Sequence, residues 1–97
     1  MAYEIVWLPK AEQRYDQIIA WLSENWTSRE VQNFVFRTYE ILDLISVNPD
    51  LFRMAGKKNI RQVLITEHNL LLYHKKGKKI ELITFFDTRQ KPSKKFK

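Results

Sequence analysis

The sequence predicts an α+β domain in which a helix hairpin packs on a small, mostly antiparallel sheet. Three observations support this class: a short strand-like start, two amphipathic helical stretches, and three apolar runs separated by turns. The predicted order of elements is therefore β-α-α-β-β-β. A chain of 97 residues supports one core, so residues 1–97 are predicted to form a single domain, with 90–97 a basic and partly disordered tail.

The first three elements are predicted from periodicity and end signals. Tyr3–Leu8 alternates as a strand does, and Pro9 suits the first turn of a helix that continues at helical spacing to Trp26. Thr27 and Glu30 have the spacing of a capping box, which predicts a second helix. The two helices are separated by a very short link, so they are expected to pack antiparallel.

The second helix is expected to stop at Asn48, before Pro49, and a basic loop follows. The last three elements are predicted strands at Ile60–Thr66, Leu70–Lys75 and Lys79–Phe86. By simple alternation, Ile83 and Phe85 are expected on the face opposite Ile80 and Leu82. Both faces of this meander are apolar, so one should be covered by the helices and the other covered by a partner or shaped into a cleft.

Composition and charge narrow the function classes. The chain has no cysteine, which excludes disulfides and thiolate metal sites, and nothing in it predicts a cofactor. The start does not resemble a signal peptide and no run approaches the length of a membrane span, so a cytoplasmic protein is expected. The net charge of +6 is concentrated after residue 56, which favours a polyanion or an acidic protein as partner. A solvated basic face that only keeps the protein soluble is the alternative.

These elements, with Leu-Leu-Leu-Tyr at 70–73 and Phe-Asp-Thr-Arg-Gln-x-Pro at 86–92, resemble the RelE/ParE family of toxins, which includes plasmid stabilisation proteins. The resemblance spans residues 3–92 and implies the toxin of a bacterial type II toxin–antitoxin module. RelE-like members cut mRNA on the ribosome with a cluster of basic residues. ParE-like members share the fold, largely lack that cluster and are associated with inhibition of DNA gyrase. In both, an extended antitoxin segment neutralises the toxin.

The basic cluster of the RelE-like pattern is matched only in part. Arg89 lies where the pattern has an arginine after the last strand, and Arg61 lies on the first basic position of an earlier strand. Val63 replaces one further basic residue, and Leu70, or Asn69 in a register shifted by one, replaces another. The tail offers Phe96 in place of a tyrosine that could transfer a proton. The resemblance therefore implies a ParE-like toxin that acts by binding. The alternative is a metal-independent endoribonuclease with Arg61 and Arg89 as catalytic residues.

Several further side chains have two interpretations each. Five basic residues are predicted to contact a target or nucleic acid: Lys57, Lys58, Lys75, Lys76 and Arg89. Arg89 could instead pair with Asp87 and fasten the tail to the sheet. His68 and His74 could act in a nuclease, since imidazole titrates near neutrality. The simpler interpretation makes them a solvated turn residue and a strand-end residue beside the lysines.

Two aromatic side chains are also assigned on this pattern. Tyr73 is expected in the core with its hydroxyl bonded, and Trp26 is expected to pack between the helices or to line an antitoxin groove. The expected partners are a cognate antitoxin with an acidic segment, and either DNA gyrase or the ribosome and its mRNA. A homodimer or a toxin–antitoxin hetero-oligomer is expected, with no membrane contact.

Overall fold

The computed structural model describes residues 2–56 and 59–88, and its elements follow the predicted order. Their bounds are β1 Glu4–Trp7, α1 Pro9–Asn25, α2 Ser28–Val47, β2 Ile60–Thr66, β3 Asn69–Lys76 and β4 Lys79–Asp87. The predicted α+β class is therefore confirmed. Lys57, Lys58, Arg89 and the predicted tail 90–97 lie outside the described residues.

The helix boundaries follow from the signals in the sequence. Pro9 occupies the first turn of α1, where its missing N–H would have no intrahelical partner in any case. The Thr27 side chain caps α2 by accepting a hydrogen bond from the backbone N–H of Glu30 (3.3 Å), as the capping box predicts. Neither helix, within the ranges 2–56 and 59–88, is long and apolar enough to cross a membrane.

The four strands form one sheet in the order β1-β4-β3-β2. The last three strands form the expected antiparallel meander, and β1 joins it by pairing in parallel with β4, with Glu4 opposite Lys79. The outer side of β2 is extended by the loop after α2, where the Gln62 N–H donates to the Arg53 carbonyl (3.0 Å) and the Ala55 N–H to the Ile60 carbonyl (2.7 Å). The mostly antiparallel sheet predicted from the sequence is confirmed.

The register of β3 and β4 corrects one expectation. Leu72 pairs with Thr84 while Tyr73 pairs with Leu82, so Ile83 is an extra residue in β4, a β-bulge. Simple alternation predicts that Phe85 and Leu82 lie on opposite faces of the sheet. The bulge instead brings Phe85 to the same face as Leu82, and both are fully buried.

The core lies between this sheet face and the helix pair. It contains Ala11, Tyr15, Ile18 and Leu22 of α1, Phe34, Ile41, Leu42 and Ile45 of α2, and Val63, Ile65, Leu71, Tyr73, Ile80, Leu82 and Phe85 of the sheet. Aromatic rings occupy its centre: Phe85 stacks on Trp7 with centroids 5.5 Å apart, and Tyr15 meets Trp7 edge to face at 5.0 Å. Tyr15 also contacts Phe34 across the two helices, at 4.9 Å.

Two tyrosine hydroxyls are buried in this core in different ways. Tyr73 is fully buried and its hydroxyl donates to the Pro49 carbonyl at 2.8 Å, which confirms the predicted bonded core tyrosine. The Tyr15 hydroxyl lies near the Thr38 side chain but forms no well-aligned hydrogen bond within the part of the chain that the structure describes. Burial raises the pKa of both phenols above the ordinary value of 10.0.

These raised pKa values predict a loss of stability in alkaline solution. The unfolded chain releases both phenol protons near pH 10, whereas the folded protein holds them to higher pH. The stabilisation is complete below pH 10 and is lost as pH rises through the folded values, at up to roughly 1.4 kcal/mol per pH unit for each tyrosine. Urea unfolding of wild type and Tyr15→Phe between pH 8 and 11 tests this. Titration of lysines is common to both proteins, so the variant should lose stability less steeply. Equal slopes would contradict the prediction.

Candidate functional site

The exit of β4 is held by a buried polar cluster. Asn69, at the start of β3, is fully buried and pairs across the sheet with Asp87, which is 6% exposed. The Asn69 side-chain amide donates to Asp87 Oδ2 at 2.7 Å, and the Thr66 hydroxyl donates to Asn69 Oδ1. Buried polar groups with partners of this kind fix one local arrangement, since any shift would leave a group unsatisfied. The end of β4 is thus fastened to the turn between β2 and β3.

The residue after this cluster is fixed as well. The Thr88 N–H donates to the His68 carbonyl at 2.9 Å, and the His68 N–H donates to Thr66 Oγ1 at 3.2 Å. The backbone is therefore held up to the residue immediately before Arg89. Arg89 lies outside the described residues, and so does its predicted pairing with Asp87. Its contact with a target stays a prediction, and the structure shows that Thr88, the residue before it, is held in place.

Arg61 has structural partners. It lies opposite Tyr73 on the helix-facing side of the sheet, and its guanidinium donates to the Phe52 carbonyl at 2.7 Å. A second guanidinium nitrogen is 3.3 Å from the carboxylate of Asp50, and 24% of the arginine side chain is exposed. These contacts hold the loop after α2 against β2. The catalytic role predicted for Arg61 stays a prediction. The contacts with Phe52 and Asp50 give this arginine a structural role that involves no catalysis.

The structure describes two of the four lysines that are predicted to contact a target or nucleic acid. Lys75 and Lys76 are exposed beside the β3–β4 turn, together with Lys78 and Lys79. Successive strand residues point to opposite faces, so Lys75 lies on the helix side, with its ammonium 5.8 Å from the Tyr3 ring centroid. Lys76 lies on the other face and pairs with Lys79. The tip of the β3–β4 hairpin therefore carries a cluster of positively charged side chains. Lys57 and Lys58 lie outside the described residues.

The sheet face turned away from the helices, the open face, has a polar pair on its two interior strands, near the β3–β4 turn. His74 Nε2 lies 2.8 Å from Glu81 Oε1, with 28% of the histidine side chain and 20% of the carboxylate side chain exposed. Sequence analysis placed His74 as a strand-end residue and missed Glu81. The signal was present: both residues lie two positions from the Lys76–Lys79 pair, one on each strand, so they face each other across the hairpin.

His68 matches its simpler interpretation. It lies in the turn between β2 and β3, and its Nε2 is 3.1 Å from the carboxylate of Glu67, which is the residue before it. The histidine side chain is 38% exposed and that of Glu67 is 84% exposed. Within the ranges 2–56 and 59–88, no three His, Cys, Asp or Glu residues are arranged to hold a metal ion.

An apolar patch occupies the end of the open face nearest the β2–β3 turn. It consists of Leu51, Leu64, Leu70 and Phe86, of which Leu64 is the most exposed at 58%. Leu64 pairs with Leu70, and Leu70 pairs with Phe86, so the patch runs across three strands. A hollow of about 420 Å³ opens beside it, lined in part by Leu51, Leu64 and Leu70. This arrangement agrees with the prediction of a cleft on the second face of the meander.

The helices expose apolar side chains of their own. Trp26, at the end of α1, is 47% exposed and borders a second hollow of about 480 Å³ with Asn33 and Arg37 of α2. Trp26 is thus partly exposed beside a hollow, and its predicted contact with an antitoxin stays a prediction. The outer side of α2 also exposes Phe36, Tyr39, Leu44 and Val47.

Comparison with known proteins finds structural likeness without sequence likeness. No protein-family model and no curated protein matches the sequence. Among solved structures, a chain of the chromosomal ParDE TA system of P. aeruginosa superposes with a TM-score of 0.73 at 16% identity, over 89% of this chain and 96% of that one. The YoeB dimer of Staphylococcus aureus gives a TM-score of 0.64 at 16% identity, over 89% and 97% of the chains.

A chain of the YoeB–YefM complex from Staphylococcus aureus gives a TM-score of 0.60 at 17% identity, over 89% of this chain and 97% of that one. All three likenesses cover nearly the whole of both chains, so they concern the complete domain. Identities this low establish a shared fold and nothing finer. The chain therefore has the RelE/ParE-type fold that its sequence resemblance predicted.

Proposed function

We propose that this chain is the toxin of a type II toxin–antitoxin module, closer to the ParE-like than to the RelE-like branch. It acts by binding an essential target, with DNA gyrase the first target to test, and a cognate antitoxin neutralises it. The observation that supports this most strongly is the chain-long superposition on a chain of a ParDE TA system, at a TM-score of 0.73.

The described side chains favour a toxin that acts by binding over one that cleaves RNA with a RelE-like basic cluster. The Arg61 guanidinium is engaged by the Phe52 carbonyl and the Asp50 carboxylate. Val63 is buried in the core, and Leu70 belongs to the apolar patch. Two positions where that cluster needs cations are thus apolar, which leaves little charge to stabilise a phosphorane.

The open face supports an antitoxin with both acidic and apolar residues. Its apolar patch lies at one end of β3 and the lysines of the hairpin tip lie at the other. An extended segment along β3 would place apolar side chains on the patch and carboxylates near Lys76 and Lys79. The patch contributes affinity by burial, and the lysines contribute orientation and rate of association.

The test is inducible expression of the chain in bacteria, alone and with the adjacent open reading frame. We expect growth arrest with the chain alone, recovery when the adjacent small acidic protein is co-expressed, and co-purification of the two. Absence of both arrest and a stable complex would contradict the proposal. A purified chain that inhibits gyrase supercoiling while leaving mRNA intact would support the ParE-like branch.

A second candidate, a RelE-like ribosome-dependent mRNA endoribonuclease, is favoured by one specific observation. The pair His74–Glu81 provides a proton-transfer group on the open face, beside two lysines. The groups that such a nuclease needs are therefore present in part, although they are not the arginines expected from the sequence.

A further inference from the structure

The loop after α2 continues the sheet beyond β2, and this fixes the direction of its side chains. Met54 pairs with Arg61 in an antiparallel bridge, so Arg53 lies opposite Gln62, whose N–H donates to the Arg53 carbonyl at 3.0 Å. Residues that lie opposite each other in such a ladder point to the same face. Gln62 lies on the open face, because its neighbour Val63 is buried in the core. Arg53 therefore projects from the open face beside Gln62.

The next row of the open face consists of apolar side chains. Leu64 pairs with Leu70, which pairs with Phe86, so the row crosses three strands. Neighbouring strands are about 4.8 Å apart, so the three side chains cover a distance of about 10 Å. None of these side chains has a hydrogen-bonding group. A hydrocarbon chain fits such a row better than a peptide backbone does, since the amides of a peptide would lose their hydrogen bonds with water.

A hollow joins this apolar row to the side chains of Arg53 and Gln62. Its volume is about 420 Å³, which falls in the range of roughly 300–1,000 Å³ that is usual for small-molecule sites. Arg53 and Gln62 supply the polar side chains of its lining, and leucine, valine and phenylalanine side chains supply the rest. The lining that the structure describes contains no carboxylate. The hollow therefore fits a small molecule with an apolar body and one polar end.

The guanidinium of Arg53 is available to an anion. The nearest carboxylate along the chain, that of Asp50, lies 3.3 Å from the guanidinium of Arg61. Within residues 2–56 and 59–88, no carboxylate pairs with Arg53. A guanidinium can bind a carboxylate through two parallel N–H···O bonds, and the amide of Gln62 can donate another. The polar end that fits this site is therefore a carboxylate.

We propose that this hollow binds a medium-chain fatty acid. Its carboxylate pairs with Arg53 and accepts from the Gln62 amide, and its alkyl chain covers Leu64, Leu70 and Phe86. The alkyl chain contributes affinity through the apolar area that it removes from water, and the carboxylate sets the direction in which the chain lies. This ligand goes beyond the proposed toxin function, because it is bound by the chain alone.

The charge of the protein does not by itself select this site. The lysines of the β3–β4 hairpin tip lie at the opposite end of β3 from Leu70. An anion attracted to those exposed lysines would bind whatever the length of its alkyl chain, and salt would release it. Binding in the hollow depends instead on both the alkyl chain and the carboxylate. Ligands that differ in only one of these two parts therefore separate the two modes of binding.

The test is calorimetric titration of the purified full chain with decanoate, below the concentration at which decanoate forms micelles. We expect saturable binding at one site per chain, whereas acetate and decyltrimethylammonium should give no saturable binding. Decanol should bind about tenfold or more weakly than decanoate, because it lacks the charge that Arg53 recognises. Chemical-shift changes in a ¹⁵N-labelled chain should centre on Gln62, Leu64 and Leu70.

Arg53→Gln should weaken the binding of decanoate by about tenfold or more and leave the binding of decanol unchanged. Leu64→Ser should weaken the binding of both ligands, since it removes apolar surface from the row. Arg29→Gln and Leu44→Ser are matched controls, because both wild-type side chains are exposed on α2, and both variants should bind decanoate as the wild type does. Circular dichroism and urea midpoints close to those of the wild type would show that the variants fold.

The absence of saturable decanoate binding would overturn the proposal, as would equal decanoate affinities of the wild type and Arg53→Gln. A peptide with a C-terminal leucine that binds the hollow more tightly than decanoate, and loses this affinity when its carboxylate is amidated, would assign the site to a chain end and overturn the fatty acid. Growth arrest without decanoate binding would overturn this site alone. Decanoate binding without growth arrest would support the site and contradict the proposed toxin.

Discussion

Replacing Asp87 with alanine is expected to lower the free energy of unfolding by about 3 kcal/mol. The change removes the acceptor of the Asn69 side-chain amide, and Asn69 is fully buried. A buried donor without an acceptor costs more than the lost hydrogen bond alone, because water cannot replace the missing partner. Urea unfolding followed by tryptophan fluorescence measures the effect.

Asp87→Asn is the matched control. It keeps an oxygen that can accept from Asn69 but loses the charge and replaces the second oxygen with an NH2 group, so we expect a loss of about 1 kcal/mol. An alanine variant as stable as the wild type would show that the contact between Asn69 and Asp87 does not support the fold. A loss as large in the amide variant as in the alanine variant would assign the stabilisation to the charge of Asp87.

The same substitution has a consequence for Arg89. Thr88 follows Asp87, and its N–H donates to the His68 carbonyl. Loosening the end of β4 would therefore also loosen the backbone at Thr88, the residue before Arg89. A target contact by Arg89 would then weaken in Asp87→Ala even under conditions where the variant is fully folded. Binding of a purified target below the unfolding transition separates this effect from stability.

The helices and the order of elements along the chain were predictable because their signals are local. Pro9 and the Thr27–Glu30 spacing mark helix starts through groups within one turn of the chain, and the structure places both helices within about a residue of the prediction. The turn around Gly77 fixed the pairing of Lys76 with Lys79, and from it the facing of His74 and Glu81. The pairing of these two residues could therefore have been predicted from the sequence.

Features that depend on distant segments were not predictable. The parallel pairing of β1 with β4 joins residues far apart in the chain, and no local pattern specifies it. The bulge at Ile83 shifts the register by one residue, so alternation from the hairpin tip would place Phe86, and not Asp87, opposite Asn69. The buried polar cluster at the exit of β4 exists only because of that shift. The same shift moved Phe85 into the core.

Phe85→Ala and Phe86→Ala are therefore expected to have opposite consequences, although the two residues are adjacent. Phe85 is fully buried and stacks on Trp7, with Tyr15 5.0 Å away. Its truncation should cost about 3–5 kcal/mol, since it removes buried apolar area and leaves a cavity. This is a large share of the stability of a small domain, about 5–15 kcal/mol, so the milder Phe85→Leu serves if the alanine variant does not fold.

Phe86 is 43% exposed in the apolar patch beside Leu70. Phe86→Ala should change the free energy of unfolding by less than about 1 kcal/mol. If the proposed antitoxin binds the apolar patch, the variant should bind it about tenfold or more weakly, because an aromatic anchor in an interface is often worth more than 1 kcal/mol. Urea unfolding and titration of each variant with the co-purified partner measure both quantities. A large stability loss for Phe86→Ala would contradict the assigned faces of β4, and an unchanged complex would remove the patch from the proposed antitoxin surface.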